Sequence, residues 1–305
     1  MSTVAGSELP EHLPSGVLRL DLALQGGLPR ARATLISGAE LTGKTTLFLH
    51  CVAQVQLLGG LCAWIDTDNS LDPGYATRLG VDPFQALVSC PTSLEQTFGI
   101  AQELVRSGAL ALLVIDSLTA LLPDLSLETP HNASGAWRAL YSRLSLLRQT
   151  ARARGTALLL SYQSGPFIAS RLRWLAPSVE TSLAFSTDLH LRLQTLRPWE
   201  LNGVVMGSYL YIDADLPKIS DIGFPIELKL LYNEGVVNHY ELFDLGCVIG
   251  VISRQKEEYF FRDDSLGRGQ EQVLHAMNRQ PQLCQQIEQA IRQQGLPPPR
   301  MPVEG

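Results

Sequence analysis

Nowhere does the chain run apolar for the roughly eighteen residues that a membrane-spanning helix needs, so no membrane segment is expected. Cysteine is scarce and unpatterned: there are five, at positions 51, 62, 90, 247 and 284, with no CxxC and no histidine at metal-ligand spacing. That excludes a disulfide framework and a zinc finger, and leaves the cysteines as small buried hydrophobes of a reducing compartment. Basic charge is not in excess either. The formal net charge is −6, so no global positive surface advertises nucleic acid, although a local basic channel is compatible with it. Aromatics make up only 7% of the residues while Ala and Leu dominate, a composition that suits helices packed on a buried sheet. The opening stretch MSTVAGSELPEHLPSG has no basic start and no apolar run, so no secretory signal is expected and the cytoplasm is the expected compartment. Neither an internal repeat nor a low-complexity block is visible.

What is present fits a globular protein: 305 residues, 45% apolar and 18% charged, enough for one large core with an appendage or for two domains. From about residue 16 short apolar strands alternate with amphipathic helices. ARATLISG (31–38), LCAWIDT (61–67), ALVSC (86–90), ALALLVIDS (109–117) and TALLLSYQ (156–163) are predicted strands, and 44–58, 93–107 and 135–154 are predicted helices, with a helical turn at 72–79. Strands that are almost continuously apolar are buried on both faces. A parallel sheet covered by helices on both sides is therefore expected. After Leu183 the runs DLHLRLQTL, SYLYIDAD, IELKLLY and VVNHYELF predict antiparallel or mixed strands added to it. A YFF strand, a GQEQVLHAMN helix and a final QLCQQIEQAIRQQ helix then form a small α+β unit. The expected division is a short N-terminal segment 1–17, an α/β core 18–237, a C-terminal domain 238–292 and a disordered tail 293–305.

Gly38, Ala39, Glu40, Leu41, Thr42, Gly43, Lys44 and Thr45 fit G-x-x-x-x-G-K-[ST]. They lie between a predicted strand and a predicted helix, the setting that this phosphate loop requires. Its glycines let backbone N–H groups curl around phosphate oxygens, and the helix that follows aims its positive end at them. In such a loop Lys44 reaches the β- and γ-phosphates and Thr45 ligates Mg²⁺, with Thr46 next in the nucleotide-binding set. ATP and Mg²⁺ are the expected ligands. Asp116 closes a buried strand, where an acid beside a phosphate loop holds Mg²⁺ through water; an Asp there also serves as a simple cap. WIDTDNSLDPGYA (64–76) offers Asp66 and Asp68, either of which could orient an attacking water or merely solvate a strand end.

Gly26-Gly27-Leu28-Pro29, the phosphate loop, IDTDNSLDPGYATRLGVD, ELVRSGALALLVIDSLTAL, SYQ, YNEGV, ELFDLG and SLGRGQ follow one another in an order that resembles the bacterial RecA recombinases, over about residues 15 to 292. A hexameric helicase of related fold would not share SLDPGYA or the C-terminal segment. The resemblance implies a RecA-type P-loop ATPase core with an antiparallel extension of its parallel sheet and a small C-terminal domain. It implies an ATP-dependent recombinase of homologous recombination and DNA repair that binds single-stranded DNA, hydrolyses ATP and associates with itself in a filament or smaller oligomer. On the same footing Asp68 stands where the family has the glutamate that positions water, and Asp72 and Tyr75 match residues at the adenine end. Gln163 matches a glutamine that senses the γ-phosphate and leads into a DNA-binding loop. Lys218 matches one of two lysines that reach a neighbour's phosphates, Leu216 standing near the other. Two segments would line the DNA. SLETPHNASG (126–135) runs into Arg138 and Arg143, and 164–181 carries Arg171, Arg173 and Trp174. Arginines beside an aromatic suit phosphate contact and base stacking; an exposed amphipathic helix with Trp174 turned to the core would use the same residues.

The chain departs from the family in several places. Asp68 is a methylene shorter than glutamate, the second DNA segment lacks a Thr- and Gly-rich run, and the N-terminal segment contains Pro10 and Pro14, which oppose a long helix. No acidic C-terminal tail is present in the sequence. These departures keep open a second function: a divergent RecA paralogue that binds nucleotide as a regulatory or interaction module beside a repair-protein partner, with weak or no filament formation.

Overall fold

The computed structural model describes residues 9–122, 130–165, 176–201, 203–215 and 224–295. Two short strands, β1 (His12–Leu13) and β2 (Leu28–Pro29), pair antiparallel and bracket helix α1 (Leu18–Ala23). The close approach explains the GGLP turn: at Gly27, φ 118°, a Cβ would come within 2.3 Å of the Leu13 carbonyl oxygen.

The main body then alternates strand and helix. In chain order it runs β3 (Ala33–Gly38), α2 (Lys44–Leu57), β4 (Leu61–Asp66), α3 (Pro73–Arg78), β5 (Ala86–Ser89), α4 (Leu94–Arg106), β6 (Leu110–Asp116), α5 (Pro130–Arg154), β7 (Ala157–Gln163) and α6 (Ala176–Ser186). Three long strands follow, β8 (Leu189–Leu201), β9 (Val204–Asp215) and β10 (Ile226–Leu231). They form one eight-stranded sheet in the order β10-β9-β8-β3-β7-β6-β4-β5. Neighbours from β8 to β5 are parallel, and β9 and β10 extend the sheet antiparallel.

Side-chain alternation shows why the central strands must be apolar throughout. On one face Leu112, Val114 and Leu159 pack with Phe48, Leu49 and Val52 of α2. On the other, Leu113, Ile115, Leu158 and Leu160 pack with Phe98 of α4 and Leu140, Leu144 and Leu147 of α5. Each such side chain contributes about 1.5–3 kcal/mol by burial, and a polar residue on either face would forfeit it.

A C-terminal set comprises α7 (Asn238–Ile249), the antiparallel strands β11 (Ile252–Gln255), β12 (Glu258–Phe261) and β13 (Asp264–Arg268), and helices α8 (Gly269–Arg279) and α9 (Pro281–Gln294). Leu242, Phe243, Leu245, Val273, Ile287 and Ile291 form its apolar cluster, which also takes in Leu18 of α1. Glu241 strengthens that junction by accepting the Leu18 and Arg19 backbone N–H groups at 3.0 and 2.9 Å. No helix of the described residues is long and apolar enough to cross a membrane.

Three expectations need correction. VVNHYELF is not a strand: its residues from Asn238 onward are the start of α7, because Leu242, Phe243 and Leu245 fall on one helical face rather than alternating. Helix α5 begins at Pro130, so the later half of 126–135 is helical rather than loop; proline suits a first helical position, where no intrahelical N–H is required. Strands β8 and β9 reach Leu201 and start at Val204, well beyond the alternating runs that announce them.

Candidate phosphate-loop site

Strand β3 ends at Gly38 and α2 begins at Lys44, so the intervening loop turns at the carboxyl end of the parallel sheet. Strand β7 lies alongside with Gln163 opposite Gly38, and the Ser164 N–H donates to the Gly38 carbonyl at 3.0 Å. Gly43 adopts the left-handed region, φ 82°, where a side chain would be strained. Leu41 also takes positive φ, 61°, and its side chain is 91% exposed at the loop apex.

The N-terminus of α2 is open. Asp72 caps α3 through the Gly74 and Tyr75 N–H groups, and Ser93 caps α4, whereas α2 has no side-chain cap. The first N–H groups of α2 and the aligned peptide dipoles therefore present partial positive charge. That end suits an anion.

Lys44 folds back on its own loop, its Nζ donating to the carbonyls of Gly38 at 3.0 Å and Ala39 at 2.6 Å. Burial holds its pKa below the ordinary lysine value, against the pull of Asp116, Glu40 and Asp68. Thr45 Oγ1 donates to Asp116 Oδ2 at 2.7 Å, and the Ser161 hydroxyl donates to the other oxygen of Asp116. Burial raises the Asp116 carboxyl above its ordinary range, and those two hydrogen bonds oppose the rise. Thr45 and Asp116 together offer adjacent oxygen ligands of the hard type that Mg²⁺ takes.

The two acids of WIDTD separate in role. Asp66 is buried and accepts the N–H groups of Ser70 and Leu71 at 3.1 and 2.9 Å, bracing the turn after β4. Asp68 instead lines the cavity beside the loop, held by the Ser117 hydroxyl at 2.9 Å. Partial burial pushes its carboxyl pKa up.

That cavity has a volume of about 860 Å³, within the range of ligand sites. Residues Glu40 to Thr46, Asp68, Asp72, Tyr75, Asp116 and Gln163 all line it. Gly38 and Ala39 face a smaller space of about 490 Å³ behind the loop. Tyr75 is fixed by its hydroxyl, 2.9 Å from Thr46 Oγ1, while Asp72 spends its side chain on capping α3.

Arg78, Tyr232 and Asn233 also line the cavity, though the sequence pattern assigns them no role there. A signal existed for Arg78: Asp72, Tyr75 and Arg78 recur every third residue, one face of a helix, and the Arg78 guanidinium lies 5.6 Å from the Tyr75 ring centroid. Tyr232 and Asn233 open the YNEGV motif, yet nothing local assigned them to the site, because the Leu231–Gly235 turn reaches it only through the sheet.

The DNA candidates stand apart from this cavity. Arg138 is exposed on α5, and Arg143 pairs with Glu95 of α4 at 3.3 Å. Arg171, Arg173, Trp174 and Lys218 lie outside the described residues.

A parallel sheet covered on both faces, with a glycine-framed loop at its carboxyl end leading into an uncapped helix, defines a phosphate-loop α/β protein. Comparison with known sequences narrows the class. Residues 6–153 match the RecA N-terminal domain and residues 240–295 the RecA C-terminal domain. Protein RecA of Rhodopseudomonas palustris is 33% identical over 290 residues, covering 93% of this chain and 82% of that protein. Protein RecA of Cutibacterium acnes is 33% identical over 288 residues, with 92% and 82% covered. For Protein RecA of Aquifex aeolicus the identity is 32% over 292 residues, with 93% and 84% covered. The chain belongs to the RecA family, as a divergent member with the RecA-type core.

Proposed function

We propose that this protein binds ATP with Mg²⁺ on Gly38–Thr46 and hydrolyses it while bound to single-stranded DNA, as a recombinase of homologous recombination and DNA repair. The observation that carries the reading is the convergence, on one cavity, of an uncapped helix N-terminus, Lys44, the Thr45–Asp116 pair, Asp68 and Gln163. Family membership and relatives named Protein RecA support it.

Lys44 exchanges its two carbonyl partners for phosphate oxygens, a gain because charge-assisted hydrogen bonds are the stronger kind. Thr45 and Asp116 would hold Mg²⁺, which supplies neutralisation of charge on the phosphates. Asp68 accepts a hydrogen bond from the attacking water and orients its oxygen toward the γ-phosphorus; the bond to the β–γ bridging oxygen breaks and ADP leaves. Its short arm makes turnover slow. Tyr75 and Asp72 border the base. Gln163 ends β7 immediately before the segment bearing Arg171, Arg173 and Trp174, a position from which the terminal phosphate is read and DNA is gripped or released.

Self-association is part of the reading, with Lys218 serving a neighbour's phosphates. In its support, β5 pairs with β4 alone among the described residues, and its Leu87 and Val88 side chains are exposed. An open apolar edge strand is a template for pairing with another chain. The reading also divides the chain into a core, 18–237, and a small domain, 238–292; the C-terminal apolar cluster, drawn almost wholly from residues 242–291, supports that division.

ATP hydrolysis by the purified protein, with and without single-stranded DNA, tests the proposal. Stimulation by DNA that disappears in Lys44→Ala is the expected result. Nucleotide binding with no turnover under either condition would refute it.

A further inference from the structure

Resting on the hydrolysis reading above, we infer that Ser117 is a positioning residue whose hydroxyl holds the Asp68 carboxylate in its water-orienting place. Where β4 and β6 end side by side, Asp66 opposite Asp116, the two chains are clasped by three hydrogen bonds. The Thr67 N–H donates to the Asp116 carbonyl at 2.9 Å, the Ser117 N–H to Thr67 Oγ1 at 2.7 Å, and Thr67 Oγ1 to the Ser117 carbonyl at 2.7 Å. Ser117 is itself buried, so its main chain has one position relative to the strand that delivers Asp68. From that anchor its Oγ donates to Asp68 Oδ2 at 2.9 Å.

Asp68 needs such a restraint. It stands in the turn beyond β4 and lines the open cavity, and Asp66 and Asp116, both acidic, face it from the strand ends, with Lys44 the cation among its charged neighbours. An unrestrained aspartate there would rotate toward Lys44 or into water. With Oδ2 taken by Ser117, Oδ1 is the oxygen left to accept from a water. Geometry of this kind acts on the chemical step, because a misaligned base binds substrate as well as an aligned one but turns it over more slowly.

The test compares Ser117→Thr with Ser117→Val, which share shape and differ by the hydroxyl. Rates of ATP hydrolysis with Mg²⁺ and single-stranded DNA would give kcat and KM, and thermal midpoints would confirm folding. The expected result is kcat in Ser117→Val about tenfold below that of Ser117→Thr, with KM within about twofold. In an Asp68→Asn background the same pair should differ by less than about twofold, because the group being positioned is gone. Equal kcat for the two variants, or an undiminished gap in the Asp68→Asn background, would overturn the inference while leaving the hydrolysis reading intact. An unsubstituted protein without turnover would overturn both.

Discussion

At the scale of single residues, the site contains groups whose contacts predict separable effects. Lys44 touches two carbonyls of its own loop and no apolar cluster. Lys44→Ala should therefore abolish ATP turnover and leave the thermal midpoint within a few degrees of the parent, measured by coupled phosphate release and calorimetry. Tyr75→Phe removes one hydrogen bond, to Thr46 Oγ1, and keeps the ring on the cavity wall. Loss of one such bond within the protein, about 1 kcal/mol, should lower the unfolding free energy by about that amount, as read by urea midpoints, with kcat little changed. Residue identity alone left Asp66 and Asp68 interchangeable. Two residues apart on an extended chain, they were separated by the turn after β4, which draws Asp66 inward to brace Ser70 and Leu71 and turns Asp68 to the cavity.

Among the elements, α2 is tied at its middle as well as at its loop. His50 Nε2 accepts the Val236 N–H at 3.0 Å, linking α2 to the end of the turn that carries Tyr232 and Asn233 to the cavity. An accepting Nε2 must be unprotonated, and burial pushes the His50 pKa from 6.5 down to about 4. Between those two values the unfolded chain binds a proton that the folded chain refuses. Stability from this source is thus complete above about pH 7 and falls as the pH drops through that window. Comparing urea midpoints of the parent with those of His50→Gln, which still accepts a hydrogen bond, the parent should lose on the order of 1–3 kcal/mol more between pH 7.5 and 4.5, because buried acids such as Glu241, common to both, drop out of the difference. Elements were legible where the pattern was long or unmixed: β3, β6 and β7 lie within a residue or two of their apolar runs. Mixed patterns failed, since β8 continues past Leu196 through residues such as Arg197 and Glu200 and β9 starts at Val204, ahead of its alternating run, their strand state coming from pairing with each other rather than from alternation.

For the whole molecule, the acidic balance and the proposed DNA grip make opposite demands, and salt separates them. Replacing Arg171 and Arg173 with Ala should weaken single-strand binding and flatten its dependence on log salt, because each lost phosphate contact releases fewer counterions; an unchanged slope in titrations from low to moderate salt would remove that segment from the interface. Assembly is the second global property. Val88→Lys puts a charge on the open edge of β5 and should shift sedimentation toward smaller species, and parental assembly would exclude that edge from self-association. Within the chain itself, the buried Glu241 joins α7 to α1 across most of the sequence, and burial raises its carboxyl to about 7.

Sequence by itself determined the class of fold and the phosphate loop, because both depend on local chemistry: doubly buried strands must be apolar at every position, and a loop wrapped on phosphate needs glycines at fixed spacing before a helix. It also determined the family, through ordered motifs. Tertiary structure alone decided that Ser117 holds Asp68, that Tyr232 completes the cavity wall, and that Glu241 fastens α7 to α1. Those outcomes depend on contacts between residues tens to hundreds of positions apart. Such pairings leave no periodicity along the chain, and only the folded sheet brings them within reach of one another.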